Sequence, residues 1–228
     1  MGRKGEKKLN TTGQWGARQK IYSQRSENQT NQDKTRPDST NFLNDNATNI
    51  GNNSSVKVLY TNIDSITNKV QRFKDRVTKI CPHIICITET KLNPSDKTED
   101  YFKIKNYNSF RKDRTSNGGG GVIILVSDHL CSEEIHYETW LDTEVIACMI
   151  KTGAKKLLCA CIYRPPRSPP NYNRQVETVI TSLSNTVADQ YLICGDFNYP
   201  KIDWTNHTVN SSDVSDEQQF YDAVQSSF

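Results

Sequence analysis

The sequence has no long apolar run: stretches such as VIILV, Val122 to Val126, fall far short of the roughly 20 residues that a membrane-spanning helix needs. No apolar core follows Met1 as in a secretory signal. Both absences predict a soluble, intracellular chain that is not secreted and has no membrane partner. Its seven cysteines never form CxxC, and no histidine or second cysteine pair stands at zinc-ligand spacing. An odd count of cysteines, mostly inside apolar stretches, reads as reduced, buried thiols. Asn-x-Ser/Thr triplets occur at Asn10, Asn28, Asn46, Asn53, Asn206 and Asn210, but they follow from a chain rich in those residues, and none reads as glycosylated. Phosphate-binding motifs are missing as well. Neither GxxxxGK[ST] nor a helix-opening GxGxxG follows the run Gly118 to Gly121, so GGGG predicts a tight turn into a buried strand.

The net charge of +3 is unevenly spread. Residues 1–55 hold nine Lys or Arg against five Asp or Glu, which leaves the remainder at −1. This first segment is dense in Asn, Thr, Ser, Gln, Lys and Gly, without helix or strand periodicity, and is expected to be a disordered, mildly basic tail. Residues 56–228 are enough for one domain.

Within that domain VKVLYTN, 56–62, alternates like a strand. Ile66, Val70, Phe73, Val77 and Ile80 then recur at helical spacing. HIICITET, 83–90, predicts a second strand, and 121–126, 143–150 and 157–163 predict three more in succession, read as antiparallel because the last two leave no room for a helix between them. Val176, Ile180, Leu183 and Val187 predict another helix, followed by the strand YLICGD, 191–196, and by a last helix over 217–224. The pattern is mixed α and β in packed layers.

Polar residues close four of these strands: Asn62, Glu89, Tyr163, and Asp196 with Asn198. Glu89 and Asp196 offer oxygens suited to a hard divalent cation, which for Mg²⁺ means one or two carboxylates plus water and substrate phosphate. Gly195 permits close backbone approach beside Asp196. Ser127, Asp128 and His129 have the letters of a catalytic group, but they follow the glycine-led strand rather than the strand that closes on Asp196.

In order, TNIDSITNK, CITETKLN, GGGGVIILV, IYRPP and GDFNYPKIDW resemble the endonuclease/exonuclease/phosphatase superfamily, and within it the apurinic-type endonuclease of non-LTR (LINE-like) retrotransposons. GDFN followed by IDW, together with YRPP, points to the retrotransposon group. The resemblance covers residues 56–228. It implies an α+β fold, a four-layer α/β/β/α sandwich of the deoxyribonuclease I type, that hydrolyses DNA phosphodiesters with Mg²⁺, or with Mn²⁺ in its place. By motif, Glu89 would be the principal metal ligand and Asn62 would help to position metal or phosphate. Tyr163 would hydrogen-bond the scissile phosphate, Asp196 would orient or deprotonate the attacking water, and Asn198 would hold the phosphate oxygens. Arg164, Arg167, Arg111, Lys112 and Arg114 are candidate contacts to DNA phosphates beside the site.

The family's closing elements, a strand with a further Asp and then a Ser-Asp-His, have no match after GDFN. The expectation is therefore a sandwich lacking its last strands and a weak or inactive nuclease. Other readings of the same residues are a non-catalytic, nucleic-acid-binding remnant, or the same fold acting on RNA or a phosphoinositide. A fused or downstream reverse transcriptase and a nuclear location are what a retroelement nuclease would imply. His83 reads as structural, and Trp204 as a packing residue.

Overall fold

A computed structural model describes residues 56–115, 119–140 and 142–228. The expected tail over 1–55 lies outside the described residues. Two four-stranded sheets form the centre. The first has strand order β1-β2-β4-β3, from β1 (Val58–Asn62), β2 (Ile84–Thr88), β3 (Tyr107–Lys112) and β4 (Val122–Ser127). The second has order β5-β6-β7-β8, from β5 (Ser132–Ile135), β6 (Glu144–Thr152), β7 (Lys155–Tyr163) and β8 (Gln190–Asp196). Helices α1 (Val70–Ile80) and α2 (Thr98–Phe102) belong to the first half. A long helix α3 (Pro170–Asn185), a short pair β9 (Ile202–Asp203) with β10 (Thr208–Val209), and α4 (Asp216–Ser227) belong to the second.

Alternation along each strand divides its side chains between two cores. Ile84 and Cys86 of β2, with Ile124 beside them on β4, point at the other sheet, where they meet Cys148, Cys159 and Leu192. Ile85 and Ile87 point the other way, onto Phe73 and Val77 of α1 and Phe102 of α2. On the far side, Leu158, Ala160 and Ile193 receive Val176, Ile180 and Leu183 of α3 with Phe220 and Val224 of α4. Both faces of the central strands are thus covered, which is why IICIT and VIILVS are buried throughout. The result is the expected four-layer α/β/β/α sandwich, with both sheets open.

Helix ends follow local chemistry. Cys81 takes a left-handed φ of 48° and returns its N–H to Val77, which stops α1 just before Pro82. Pro170 opens α3, where a missing N–H carries no penalty. The Ser215 side chain accepts from the Gln218 N–H at 3.1 Å and caps α4, with Asp216 and Glu217 in its first turn.

Strand β4 pairs antiparallel with β2 and β3 in one sheet and β6 pairs antiparallel with β7 in the other, in keeping with the antiparallel reading of this stretch. Strands β3 and β5 were not foreseen, because as edge strands YNSFRK and SEEI carry polar residues and little apolar alternation. Val187 is not on the helical face; it follows the end of α3 and is 74% exposed. Five of the seven cysteines are buried and all are free, as expected, with Cys86 and Cys159 sulfurs 3.7 Å apart between the sheets. Hydrogen bonds with Cys148 and Cys86, added to burial, hold the Cys159 thiol well above its ordinary pKa, so it packs as a neutral thiol.

Phe220 is fully buried and stacks on Tyr199 at 4.8 Å between ring centroids. Phe220→Ala is expected to lower unfolding free energy by about 3–5 kcal/mol, whereas exposed Val187→Ala should change it by less than about 0.5 kcal/mol. Urea unfolding of the two variants checks both.

Candidate active site

The two parallel strand pairs, β1–β2 and β7–β8, belong to different sheets, yet both deliver their C-terminal ends to the same end of the sandwich. Asn62 closes β1 and Glu89 follows β2; Tyr163 and Asp196 are register partners at the ends of β7 and β8. Asn62 joins the two sheets. Its Nδ2 donates to Glu89 Oε1 at 2.7 Å and to Asp196 Oδ2 at 2.8 Å, and its Oδ1 accepts from the Asp64 N–H at 3.1 Å. Both amide hydrogens and the amide oxygen are used, so the side chain has one orientation.

Glu89 stands in the left-handed region, φ 56°, where a non-glycine residue persists only if its surroundings hold it. The next two N–H groups supply part of that hold: Thr90 donates to Gly121 O at 3.3 Å and Lys91 to Gly120 O at 2.8 Å, while Glu89 O accepts from Ser65 at 2.9 Å. Gly119, Gly120 and Gly121, all at positive φ, lead into β4 as expected, and the last two have a second task as a clamp on the Glu89 loop. Gly121 has φ 85°, and a β-carbon there would run into the Thr90 hydroxyl. Gly195 is needed for close approach, as anticipated, since a β-carbon would collide with the Ile162 carbonyl.

Asn198, also left-handed at φ 51°, donates from Nδ2 to Arg164 O at 2.7 Å. Arg164 is placed differently from the phosphate contact expected of it. It is 4% exposed, donates to Asn173 Oδ1 at 2.8 Å and to Phe197 O and Asn198 O at 3.2 Å each, and lies 3.9 Å from the Tyr199 ring centroid. It braces the Asn198 loop from inside. The other basic candidates divide likewise. Arg111 pairs with Asp113 at 2.6 Å, Lys112 donates to Trp140 O at 2.6 Å, and Arg114 pairs with Glu144 at 2.5 Å, which leaves Arg167 on the surface.

Burial above all, with the neighbouring Glu89 carboxylate, pushes the Tyr163 phenol up to about 12. It remains a neutral hydrogen-bond donor at the pH where carboxylates are charged. Lys91 Nζ lies 2.5 Å from Asp64 and 4.0 Å from Glu89 Oε2, bringing one cation to the edge of the acidic centre.

Glu89 and Asp196 offer hard carboxylate oxygens on either side of the Asn62 amide, which turns its Nδ2 rather than its oxygen toward them. Among the described residues no group of three or more His, Cys, Asp or Glu could hold a metal by itself. Such a set fits an ion that takes one or two carboxylates and keeps water, as Mg²⁺ or Mn²⁺ does, and does not fit a structural zinc.

Ser127, Asp128 and His129 stand at the other end of β4. Val122 pairs with Thr88 and Val126 with Ile84, so five strand residues, about 17 Å, separate Ser127 from the Glu89 end. His129 is 67% exposed there, 3.9 Å from Asp128. His83 Nδ1 accepts from the Lys57 N–H at 2.9 Å, and Trp204 packs on Phe220 and Tyr221, both as read from the sequence. Glu144 was missed. It opens β6 directly across from Tyr163, buried, and the only signal available was an acidic residue ahead of an apolar run.

Solved structures share this fold at low identity. The 3′ phosphatase NExo from Neisseria, bound to a product DNA hairpin, is 14% identical, with TM-score 0.57 over 75% of this chain and 71% of its own. An AP endonuclease from Archaeoglobus fulgidus is 20% identical, TM-score 0.57, covering 75% and 70%. The endonuclease domain of TRAS1, a telomere-specific non-LTR retrotransposon, is 17% identical, TM-score 0.55, covering 75% and 71%. The Endonuclease/Exonuclease/phosphatase family matches residues 59–225, a span that contains every strand end of the site, and the chain belongs to that family.

Proposed function

We propose that residues 56–228 are a divalent-metal-dependent DNA endonuclease domain of the non-LTR retrotransposon type, with residues 1–55 as an appended polar, basic segment. The observation that carries this reading is the Asn62 amide held between Glu89 and Asp196, two carboxylates from two sheets brought to one point. The ordered motifs, GDFN with IDW and YRPP above all, support the retrotransposon type.

Glu89, with its carboxylate set by the Asn62 amide, would hold Mg²⁺ or Mn²⁺, which when bound would supply Lewis-acid neutralisation of phosphate charge. Asp196 accepts a proton from, or orients, the attacking water in line with the scissile phosphate. The neutral Tyr163 phenol and the Asn198 amide donate hydrogen bonds to the phosphate oxygens as charge builds on them. Arg164 keeps the Asn198 loop in place from below.

Nicking of supercoiled plasmid by the purified chain, dependent on added Mg²⁺ or Mn²⁺, is the expected result, with Asp196→Asn reducing the rate by roughly 10²-fold or more. No nicking with either metal, or cleavage of RNA or a phosphoinositide with DNA left intact, would overturn it. Tyr163→Phe should reduce the rate by about 10²-fold. Because the Tyr163 pKa is raised, its donor proton stays in place past the ordinary tyrosine value of about 10. The rate between about pH 8 and pH 10 should therefore show no fall that the Phe variant abolishes.

A further inference from the structure

Glu144 opens β6 and is 6% exposed. A carboxylate taken out of water in this way persists when charged donors surround it. Arg114 gives two N–H groups to Oε1, from Nε at 2.8 Å and Nη2 at 2.5 Å, and the Gly121 N–H reaches Oε2 at 2.6 Å. Burial raises the Glu144 pKa, while the Gly121 N–H and the Arg114 guanidinium oppose the rise.

The residue that Glu144 grips from one side holds the Glu89 loop from the other. Gly121 O accepts the Thr90 N–H, and its neighbour Gly120 O accepts the Lys91 N–H. Gly120 is fitted to the pair, since a β-carbon there would meet both Glu144 Oε2 and the Arg114 guanidinium. Arg114 also lies 5.6 Å from the Tyr163 ring centroid, and Glu144 is the register partner of Tyr163. The ion pair thus stands behind two residues of the site without reaching the point where Glu89, Asn62 and Asp196 meet.

We propose that Glu144, locked to Arg114 and to the Gly121 amide, is a positioning residue that holds Glu89 in its left-handed, metal-facing conformation through the glycine turn. The inference rests on the reading of Glu89 as a metal ligand for its consequence, although its structural part can be tested separately. A chain of contacts, Glu144 to Gly121 to Thr90, transmits the hold to the residue beside Glu89, in the way that outer hydrogen-bonded groups orient metal ligands elsewhere.

Amide hydrogen exchange by NMR on Glu144→Gln reads the structural part. Thr90 and Lys91 are expected to exchange about 10-fold faster, while Ile85 and Ile87 in β2 keep their protection. Calorimetric titration of Mn²⁺ into the same variant should show affinity weakened by roughly 10-fold. In nicking, the metal concentration for half-maximal rate should rise by a similar factor, with the rate at saturating metal falling less. Should Glu144→Gln fail to fold, Arg114→Gln carries the same expectations. Unchanged exchange at Thr90 and Lys91 overturns the proposal whatever the metal data show. Faster exchange in a protein whose native form binds no Mn²⁺ and nicks nothing would instead keep the positioning role and remove the metal-ligand reading of Glu89.

Discussion

The site depends on one carboxamide. Glu89 arrives on the first sheet and Asp196 on the second, and two carboxylates converging at a partly buried point repel each other unless something stands between them. Asn62 gives each of them one N–H, and because its oxygen is taken by the Asp64 backbone, it cannot turn over and present the wrong end. The amide therefore works as a neutral spacer that sets the separation and orientation of both acids. Everything behind it, from the parallel pairing of β1 with β2 and β7 with β8 to the apolar contact between the sheets, serves to bring those three strand ends into the same place.

Around this centre the chain repeats one device: a buried or half-buried cation that faces the protein rather than solvent. Arg164 holds the Asn198 loop, Arg114 holds Glu144 and the glycine turn, and Arg111 ties Asp113 to the carbonyls of Asn93 and Asp96. Planar guanidinium groups suit this task because each can reach several acceptors in fixed directions. Left-handed backbone at Glu89 and Asn198 stands beside these braces and is held by neighbours that do not react. The described residues contain no helix long and apolar enough to cross a membrane.

Much of this was legible. Short continuous apolar runs such as IICIT, VIILV and LLCACI read as buried strands, and the 3–4 spacing of Phe73, Val77 and of Val176, Ile180, Leu183 reads as helices with one apolar face. The strand ends gave Asn62, Glu89, Tyr163 and Asp196, and the structure gathers all four. The polar edge strands β3 and β5 were hidden because they need no alternation, and Val187 matched a helical period that the chain had already left.

By itself the sequence determined the layers, through the period of its apolar residues, and the chemistry available at the strand ends, through the residues that interrupt those runs. Tertiary structure alone decided which sheet β4 joins, that Arg164 and Arg114 turn inward, and that Glu144 sits behind Glu89. The physical reason is range. Periodicity and turn chemistry act over a few residues, whereas Asn62 to Asp196 spans 134 positions and Arg114 to Glu144 spans 30, and such pairings exist only once the sheets have packed.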